Sequence, residues 1–307
     1  MDFKEFLSRE KVDDALGGIL SGVCGIFPAV AQTLKSSAGE GAGTKNVFGE
    51  NQLAIDVRAN ALFLDYLKES KDVASIASEE LDHEDRGKGT GDAVYSVAFD
   101  PLDGSSLVDV NLAVGSIFGI YRGAGFIGRK GGEQVAAIIA VYGPRLTFMV
   151  TLGNGVFEFL FDEKSGVFNM SGEVKFSGEG KIFAPGNLRA CSSEEWYLEA
   201  LEYWSKNGYT LRYSGGMVPD VNQVLKKGGG IFSYPGYKGK PEGKLRLLYE
   251  CAPVAMLVEN AGGAAVYGKP GEKVGRILEM QIAALDLRTP IFIGTKEEVE
   301  RTLSFMR

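Results

Sequence analysis

Two aspartates flank a proline and a leucine in Phe99-Asp100-Pro101-Leu102-Asp103-Gly104-Ser105-Ser106, and a glycine and two serines follow at once. In a tight turn both carboxylates can reach one cation, the Leu102 carbonyl adds a neutral oxygen, and the amides of Gly104, Ser105 and Ser106 can approach an anion beside it. An Asx-turn closing a strand is the plainer reading of the same Asp-Gly spacing. Glu79 and Glu80 shift the balance, because they end the preceding β-rich run and would stand beside Asp100 and Asp103 if the two strands are neighbours. Four converging carboxylates repel one another unless cations neutralise them. Oxygen ligands without histidine or thiolate select hard ions, Mg²⁺ or Mn²⁺.

Farther along, Gly243-Lys244-Leu245-Arg246-Leu247-Leu248-Tyr249-Glu250 sets two cations and a glutamate at the start of an apolar helix. Lys244 at a positive helix N-terminus suits a phosphate, and Glu250 suits a metal; alone, the segment also reads as surface charge on a core helix. A G-x-G-x-x-G match at Gly123-Ala124-Gly125-Phe126-Ile127-Gly128 lacks the following helix and the acidic residue that a dinucleotide site needs, so a turn between strands explains it. His83, the one histidine, lies in the charged run Asp82-His83-Glu84-Asp85-Arg86 and reads as a solvated surface residue. Histidine-dependent triads and zinc sites would all have to run through it, so oxygen chemistry remains.

Several elements must position these groups. Phe3, Phe6, Leu7, Leu16, Ile19, Leu20, Val23, Val30 and Leu34 recur at helical spacing, predicting one or two helices broken near Pro28, and the glycine-rich Ser37 to Gly43 reads as a mobile loop. Leu53, Val57, Ala61, Leu64 and Leu67 predict another helix, on which Asp56 and Asn60 share a face. Val73-Ala77, Val94-Phe99, Gly115-Tyr121, Val135-Tyr142, Leu146-Leu152 and Val156-Phe161 predict a large mixed or antiparallel sheet. Beyond Ser171 to Gly180 the pattern alternates: strands at Lys181-Ala184, Tyr209-Tyr213 and Ile231-Tyr234, helices near Ser193-Lys206 and Val218-Lys227. A further helix, Leu247-Asn260, has Pro253 in its first turns and is closed by Gly262-Gly263. The expectation is an α/β fold of mixed sheets, with residues 1–175 carrying the metal-binding carboxylates and 176–307 the rest of the site.

Composition bounds the partners. With 307 residues, 45% of them hydrophobic, the chain buries a substantial core, and a net charge of -7 offers no basic stripe for nucleic acid. No segment reads as apolar enough to span a bilayer, and the charged start lacks a signal peptide's core, so a cytosolic location is expected. Cys24, Cys191 and Cys251 fit neither a disulfide framework nor a zinc spacing.

Ser78-Glu79-Glu80, Asp100 to Ser106 and Gly243 to Glu250, taken in order, closely resemble the class I fructose-1,6-bisphosphatase and sedoheptulose-1,7-bisphosphatase family, over about residues 46–294. Asn187-Leu188-Arg189-Ala190 and Tyr209 to Gln223 look like its sedoheptulose branch, since fructose enzymes tend to carry a tyrosine where this chain has Ala190. The resemblance implies a layered αβαβα fold and two or three Mg²⁺, with Mn²⁺ as the other candidate. It assigns Glu79, Glu80, Asp100, Asp103, Glu250 and the Leu102 carbonyl as metal ligands; where relatives carry an aspartate on the helix after Asp56 this chain departs with Asn60, which leaves Asp56 with Glu80 as the pair expected to orient the attacking water. Gly104 and Ser105, with Ser106 beside them, take the 1-phosphate. Asn187, Tyr213, Tyr234 and Lys244, with Arg246 near them, take the distal phosphate, Met217 lines the sugar site, and Arg212 reaches a neighbouring subunit. The implied activity is removal of the 1-phosphate of sedoheptulose-1,7-bisphosphate by a homo-oligomer, a dimer for preference. Fructose-1,6-bisphosphate, alone or as a second substrate, is the alternative. Inositol or nucleotide phosphate hydrolysis shares the Asp-Pro-Leu-Asp turn but leaves Lys244 to Glu250 unexplained, and a binding-only regulator would not need the carboxylates.

Overall fold

The protein is described by a computed structural model covering residues 1–36, 41–45, 51–91, 94–178 and 180–306. Positions 37–40 of the glycine-rich stretch read as a loop lie outside the described residues, whereas Gly41–Lys45 (β1) pairs antiparallel with Asn51–Leu53 (β2).

The chain opens on a short helix, Phe3–Arg9 (α1), closed by a capping box: Asp2 Oδ1 accepts from the Glu5 amide at 2.9 Å and Glu5 Oε2 from the Asp2 amide at 3.0 Å. Lys11 turns the chain in a left-handed conformation (φ 55), and Asp13 Oδ1 accepts from the Leu16 amide at 3.0 Å to start the second helix, Asp14–Ser36 (α2). The helical break therefore falls at residues 10–13 and not at Pro28, which lies inside α2. A proline there removes one backbone hydrogen bond. The neighbouring Phe27 keeps the helix docked, its buried ring meeting Phe63, Phe118, Tyr142, Phe148 and Phe168 at centroid distances of 5.8–6.3 Å. α2 also corrects the expectation about membranes: at 23 residues and mean hydropathy 1.6 it has the length and composition of a span. Its apolar side, Leu16, Ile19, Leu20, Val23, Phe27 and Val30, is buried in the protein core.

The third helix, Ala54–Glu69 (α3), buries Ile55, Ala59, Phe63 and Leu67 together with Asp56 and Asn60, while Val57 is exposed. The expected stripe was thus out of phase, because a polar pair at the inner face masks the true apolar row. Next come Val73–Ser78 (β3), Asp85–Arg86 (β4), Tyr95–Asp103 (β5), Val114–Arg122 (β6), Gln134–Tyr142 (β7), Leu146–Thr151 (β8), Phe157–Asp162 (β9) and Val167–Glu173 (β10). They form one eight-stranded sheet in the order β10-β9-β8-β7-β6-β5-β3-β4, antiparallel except for the parallel pair β3/β5. β7 shows why it is covered on both faces: Ala136, Ile138, Ala140 and Tyr142 pack toward α1–α3, and Ala137, Ile139 and Val141 toward the other half of the chain.

A second sheet holds Ile182–Pro185 (β11), Thr210–Leu211 (β12), Ile231–Tyr234 (β13), Ala264–Tyr267 (β14), Gly275–Arg276 (β15) and Ile291–Gly294 (β16), in the order β12-β11-β13-β16-β14-β15. Glu195–Lys206 (α4) and Lys296–Phe305 (α7) supply Trp196, Trp204 and Val299 to the core on its outer face. Met217–Lys226 (α5) and Ala252–Asn260 (α6) lie between the sheets, so the layers run αβαβα. The helix expected over Leu247-Asn260 begins as a π-helical turn, Leu247–Cys251, with Cys251 donating to Arg246 O at 3.0 Å. Pro253 then sits near the start of α6, where its missing N–H costs little. β12 is shorter than the expected Tyr209-Tyr213 strand, spanning only Thr210 and Leu211.

Candidate active site

Parallel pairing of β3 and β5 sets Ser78 opposite Phe99, so Glu79-Glu80 leaves one strand beside the place where Asp100 to Asp103 ends its neighbour. The Glu79 amide donates to Phe99 O at 3.0 Å, which holds the two ends together. Between Asp100 and Asp103 the register with β6 shifts, and this bulge turns the two aspartates into a cleft. The turn is braced from within: Asp100 Oδ1 accepts from the Leu102 amide at 2.9 Å, and Ser116 Oγ donates to Pro101 O at 2.7 Å. The Asx-turn and the carboxylate site are therefore the same object. Gly104 follows at φ 78, and a Cβ there would stand 3.1 Å from Gly216 Cα. A side chain at this position would strain the backbone and push the two walls of the cleft apart.

Asp103 reaches that opposite wall, accepting from the amides of Met217 at 3.2 Å and Val218 at 2.6 Å, the first two residues of α5. A carboxylate at a helix N-terminus satisfies orphan donors and meets the positive end of the dipole. Asp220, one turn on, accepts from the amides of Ser214 at 2.8 Å and Gly215 at 3.4 Å. The two aspartates thus hold the loop 214–218 from either side.

The third wall is the π-helical turn. It brings Glu250 back to its own beginning, where Glu250 Oε2 accepts from the Arg246 amide at 2.6 Å. The buried Arg246 guanidinium pairs with Glu79. One oxygen each of Glu79, Asp100 and Glu250 lies within 4.8 Å of the others. Burial raises the Asp100 carboxyl well above its usual range, with the charges of Asp103 and Glu250 adding to the shift. Burial likewise pushes Glu250 up to about 7 against the pull of Arg246, and Asp103 up to about 6 against its two helix amides. Six carboxylates, Asp56, Glu79, Glu80, Asp100, Asp103 and Glu250, share the cleft with Lys244 and Arg246. That negative excess, held by oxygen donors alone, fits a hard divalent cation.

The cleft has a volume of about 350 Å³. Asp56, Glu79, Glu80, Asp100, Leu102, Asp103, Gly104, Ser105, Ser106, Tyr213, Met217, Tyr234, Lys244, Arg246 and Glu250 all line it. Asn187 and Arg212 do not. Asn187 donates Nδ2–H to Pro235 O at 2.7 Å behind the wall, and Arg212 is exposed with Nη1 on Leu211 O at 3.2 Å. Phe232, Leu245, Gly215 and Gly216 also line it. Nothing in the sequence marks the first two, since apolar residues of a strand and a turn reach the cleft only through tertiary packing. Ala190 lies in the core with Trp196 and Tyr197 and does not line the cleft. His83 is exposed, its Nδ1 2.6 Å from Asp82 Oδ1, as expected of a surface residue.

Comparison with known proteins agrees with this geometry along the whole chain. Residues 4–173 match the family described as fructose-1-6-bisphosphatase, N-terminal domain, and residues 176–307 match its C-terminal domain. A class 1 fructose-1,6-bisphosphatase of Geobacter metallireducens is 42% identical over 307 residues, spanning 100% of this chain and 95% of its own length. A chloroplastic sedoheptulose-1,7-bisphosphatase of Triticum aestivum is 40% identical over 300 residues, with 97% of this chain and 75% of that protein covered. The solved structure assigned to a sedoheptulose-1,7 bisphosphatase of Toxoplasma gondii superposes with a TM-score of 0.91 at 32% identity, covering 100% of this chain and 98% of that one. Enzymes of this family are metal-dependent, which accounts for a cleft whose carboxylates repel one another when empty of cations. The chain belongs to the class 1 fructose-1,6-bisphosphatase family and is a sugar bisphosphatase, a phosphoric monoester hydrolase.

Proposed function

We propose that the chain hydrolyses the 1-phosphate of sedoheptulose-1,7-bisphosphate, giving sedoheptulose-7-phosphate and phosphate, with Mg²⁺ as the resident ion. The observation that carries the chemistry is the convergence of Glu79, Asp100 and Glu250 oxygens within 4.8 Å beside the Gly104 turn. Glu79, Glu80, Asp100, Asp103, Glu250 and the Leu102 carbonyl would hold two or three ions. When bound, Mg²⁺ supplies Lewis-acid polarisation of the phosphate and a lower pKa for the attacking water.

The chain's own residues do the rest. Asp56 and Glu80 orient the water and accept its proton, so no covalent enzyme intermediate is required. Gly104, Ser105 and Ser106 present amides to the 1-phosphate, and the sugar oxygen leaves in line with the attack. Met217 packs against the sugar, and Tyr213, Tyr234 and Lys244 face the distal phosphate, whereas Arg246, paired with Glu79, serves the carboxylate end instead. Asn187 supports that end from behind. Arg212 stands outside the cleft of its own chain and is read as serving a second copy in a homodimer. Residues 1–175 then act as the half that carries most of the metal-binding carboxylates, and 176–307 as the half that grips the sugar.

The seven-carbon substrate is favoured by the segments Asn187 to Ala190 and Tyr209 to Gln223, and by a distal end that leaves Tyr213 42% exposed. Fructose-1,6-bisphosphate is the second reading, favoured by the name of the Geobacter relative. Initial rates on the two sugars in parallel separate them. A higher kcat/KM for the seven-carbon sugar supports the proposal, and a higher value for the six-carbon sugar replaces the substrate while keeping the chemistry.

A further inference from the structure

The two carboxylates assigned to the attacking water belong to different elements: Asp56 to the first turn of α3, and Glu80 to the turn that follows β3. The core that these elements share through Phe63, Leu67, Val73 and Ile76 is apolar, and it holds the layers together without direction. A directional link lies beside it. Asn60 is four residues after Asp56 and so shares its face of the helix. Asn60 Oδ1 accepts from Ser78 Oγ at 2.7 Å, and both side chains are buried. Ser78, the last residue of β3, is also the hub of the turn that carries Glu80. Its carbonyl accepts from the Leu81 amide at 3.0 Å, and its hydroxyl oxygen accepts from the Glu80 amide at 3.3 Å. A serine hydroxyl has one proton to give. Given to Asn60, it leaves the lone pairs for the Glu80 amide, so the contact with α3 fixes the rotamer that shapes the turn. The chain of bonds runs from Glu80 N–H to Ser78 Oγ, and from Ser78 O–H to Asn60 Oδ1.

We propose that Asn60 and Ser78 are positioning residues for the hydrolysis: their hydrogen bond clips the Glu80 turn to the helix that carries Asp56 and so sets where the attacking water is held. The inference rests on the reading of Asp56 and Glu80 as the water-orienting pair. Neither Asn60 nor Ser78 lines the cleft, so neither touches the sugar or its phosphates. Both act through Glu80, and breaking the bond moves one of the two groups that face the water. Misplacement of a reacting group lowers the rate of the chemical step while leaving substrate binding in place.

The test measures kcat, KM and Tm for Ser78→Ala, Asn60→Leu, the double variant, Ser78→Thr and Asp56→Asn, on whichever ketose bisphosphate wild type turns over faster. Each of the first two leaves a buried polar group without its partner and should melt lower, whereas the double variant replaces both partners by apolar groups and should melt close to wild type. The kcat of folded protein is expected to fall roughly tenfold or more in both single variants and no further in the double, with KM unchanged. Ser78→Thr, which keeps the hydroxyl, should recover most of the loss. A double variant with wild-type kcat overturns the inference, because the bond then serves folding alone. Losses that multiply in the double variant overturn it as well, since one bond can be broken only once. Asp56→Asn tells the two failures apart. Wild-type turnover in Asp56→Asn removes the water-orienting reading and the inference with it. Lost turnover in Asp56→Asn beside wild-type kcat in the double variant keeps that reading and overturns the inference alone.

Discussion

The two ends of the cleft are built in opposite ways. At the carboxylate end, Asp100, Asp103 and Glu250 are buried, and each is held by backbone amides from a strand bulge, a helix start or a π-helical turn. At the distal end, Tyr213 is 42% exposed, Arg189 and Arg212 face solvent, and the loop 214–216 depends on Asp220 for its shape. The reacting end is rigid because buried charges are tolerated only where geometry is fixed. On the proposed reading, the distal end selects substrate with groups that can change without disturbing that frame.

The largest effect is expected from Asp103→Asn, which keeps an oxygen acceptor for the Val218 amide while removing the charge. Turnover should fall by roughly 10³-fold, the scale of losing one electrostatic contact to the reacting group, with little change in the melting temperature. Wild-type phosphate release from this variant would remove Asp103 from the reacting end.

A second effect separates the ends by pH. The Glu250 carboxyl lies at about 7 in the folded metal-free protein against an ordinary 4.5. Its contribution to stability is therefore complete below about 4.5 and lost as pH rises through about 7. Thermal melts of chelated protein should show a fall in Tm between these limits, smaller in Glu250→Gln. A Glu250→Gln curve parallel to wild type would show that the buried carboxylate is not destabilising.

At the distal end Tyr234→Phe should raise KM for the bisphosphate about tenfold or less and leave kcat nearly intact, as expected for a hydrogen bond that grips without reacting. A drop in kcat with KM unchanged would place Tyr234 at the reacting end instead. The smallest effect is expected from His83→Ala: turnover unchanged and stability within about 0.5 kcal/mol, as for an exposed surface side chain.

The same contrast explains what could be read in the sequence. Asp100 to Ser106 and Glu79-Glu80 are legible because carboxylates and a glycine at strand ends are unusual in type and spacing, and pairing of β3 with β5 brings them together. Strands β3 and β5 to β9 follow from their β-rich runs, and the layered fold from the resemblance. Phe232 and Leu245 were illegible, since an apolar residue reveals nothing about which surface it meets. Pro28 misled because docking of Phe27 against five aromatic rings outweighs a missing hydrogen bond, and α2 shows that a core helix can be as apolar as a membrane span.

The central claim is that the carboxylate cleft releases phosphate only when a divalent cation fills it. Phosphate release from a ketose bisphosphate by the purified chain, measured after exhaustive chelation and again after Mg²⁺ is restored, tests this directly. Loss of release on chelation and its return with Mg²⁺ is the predicted result; undiminished release from the chelated protein would contradict it.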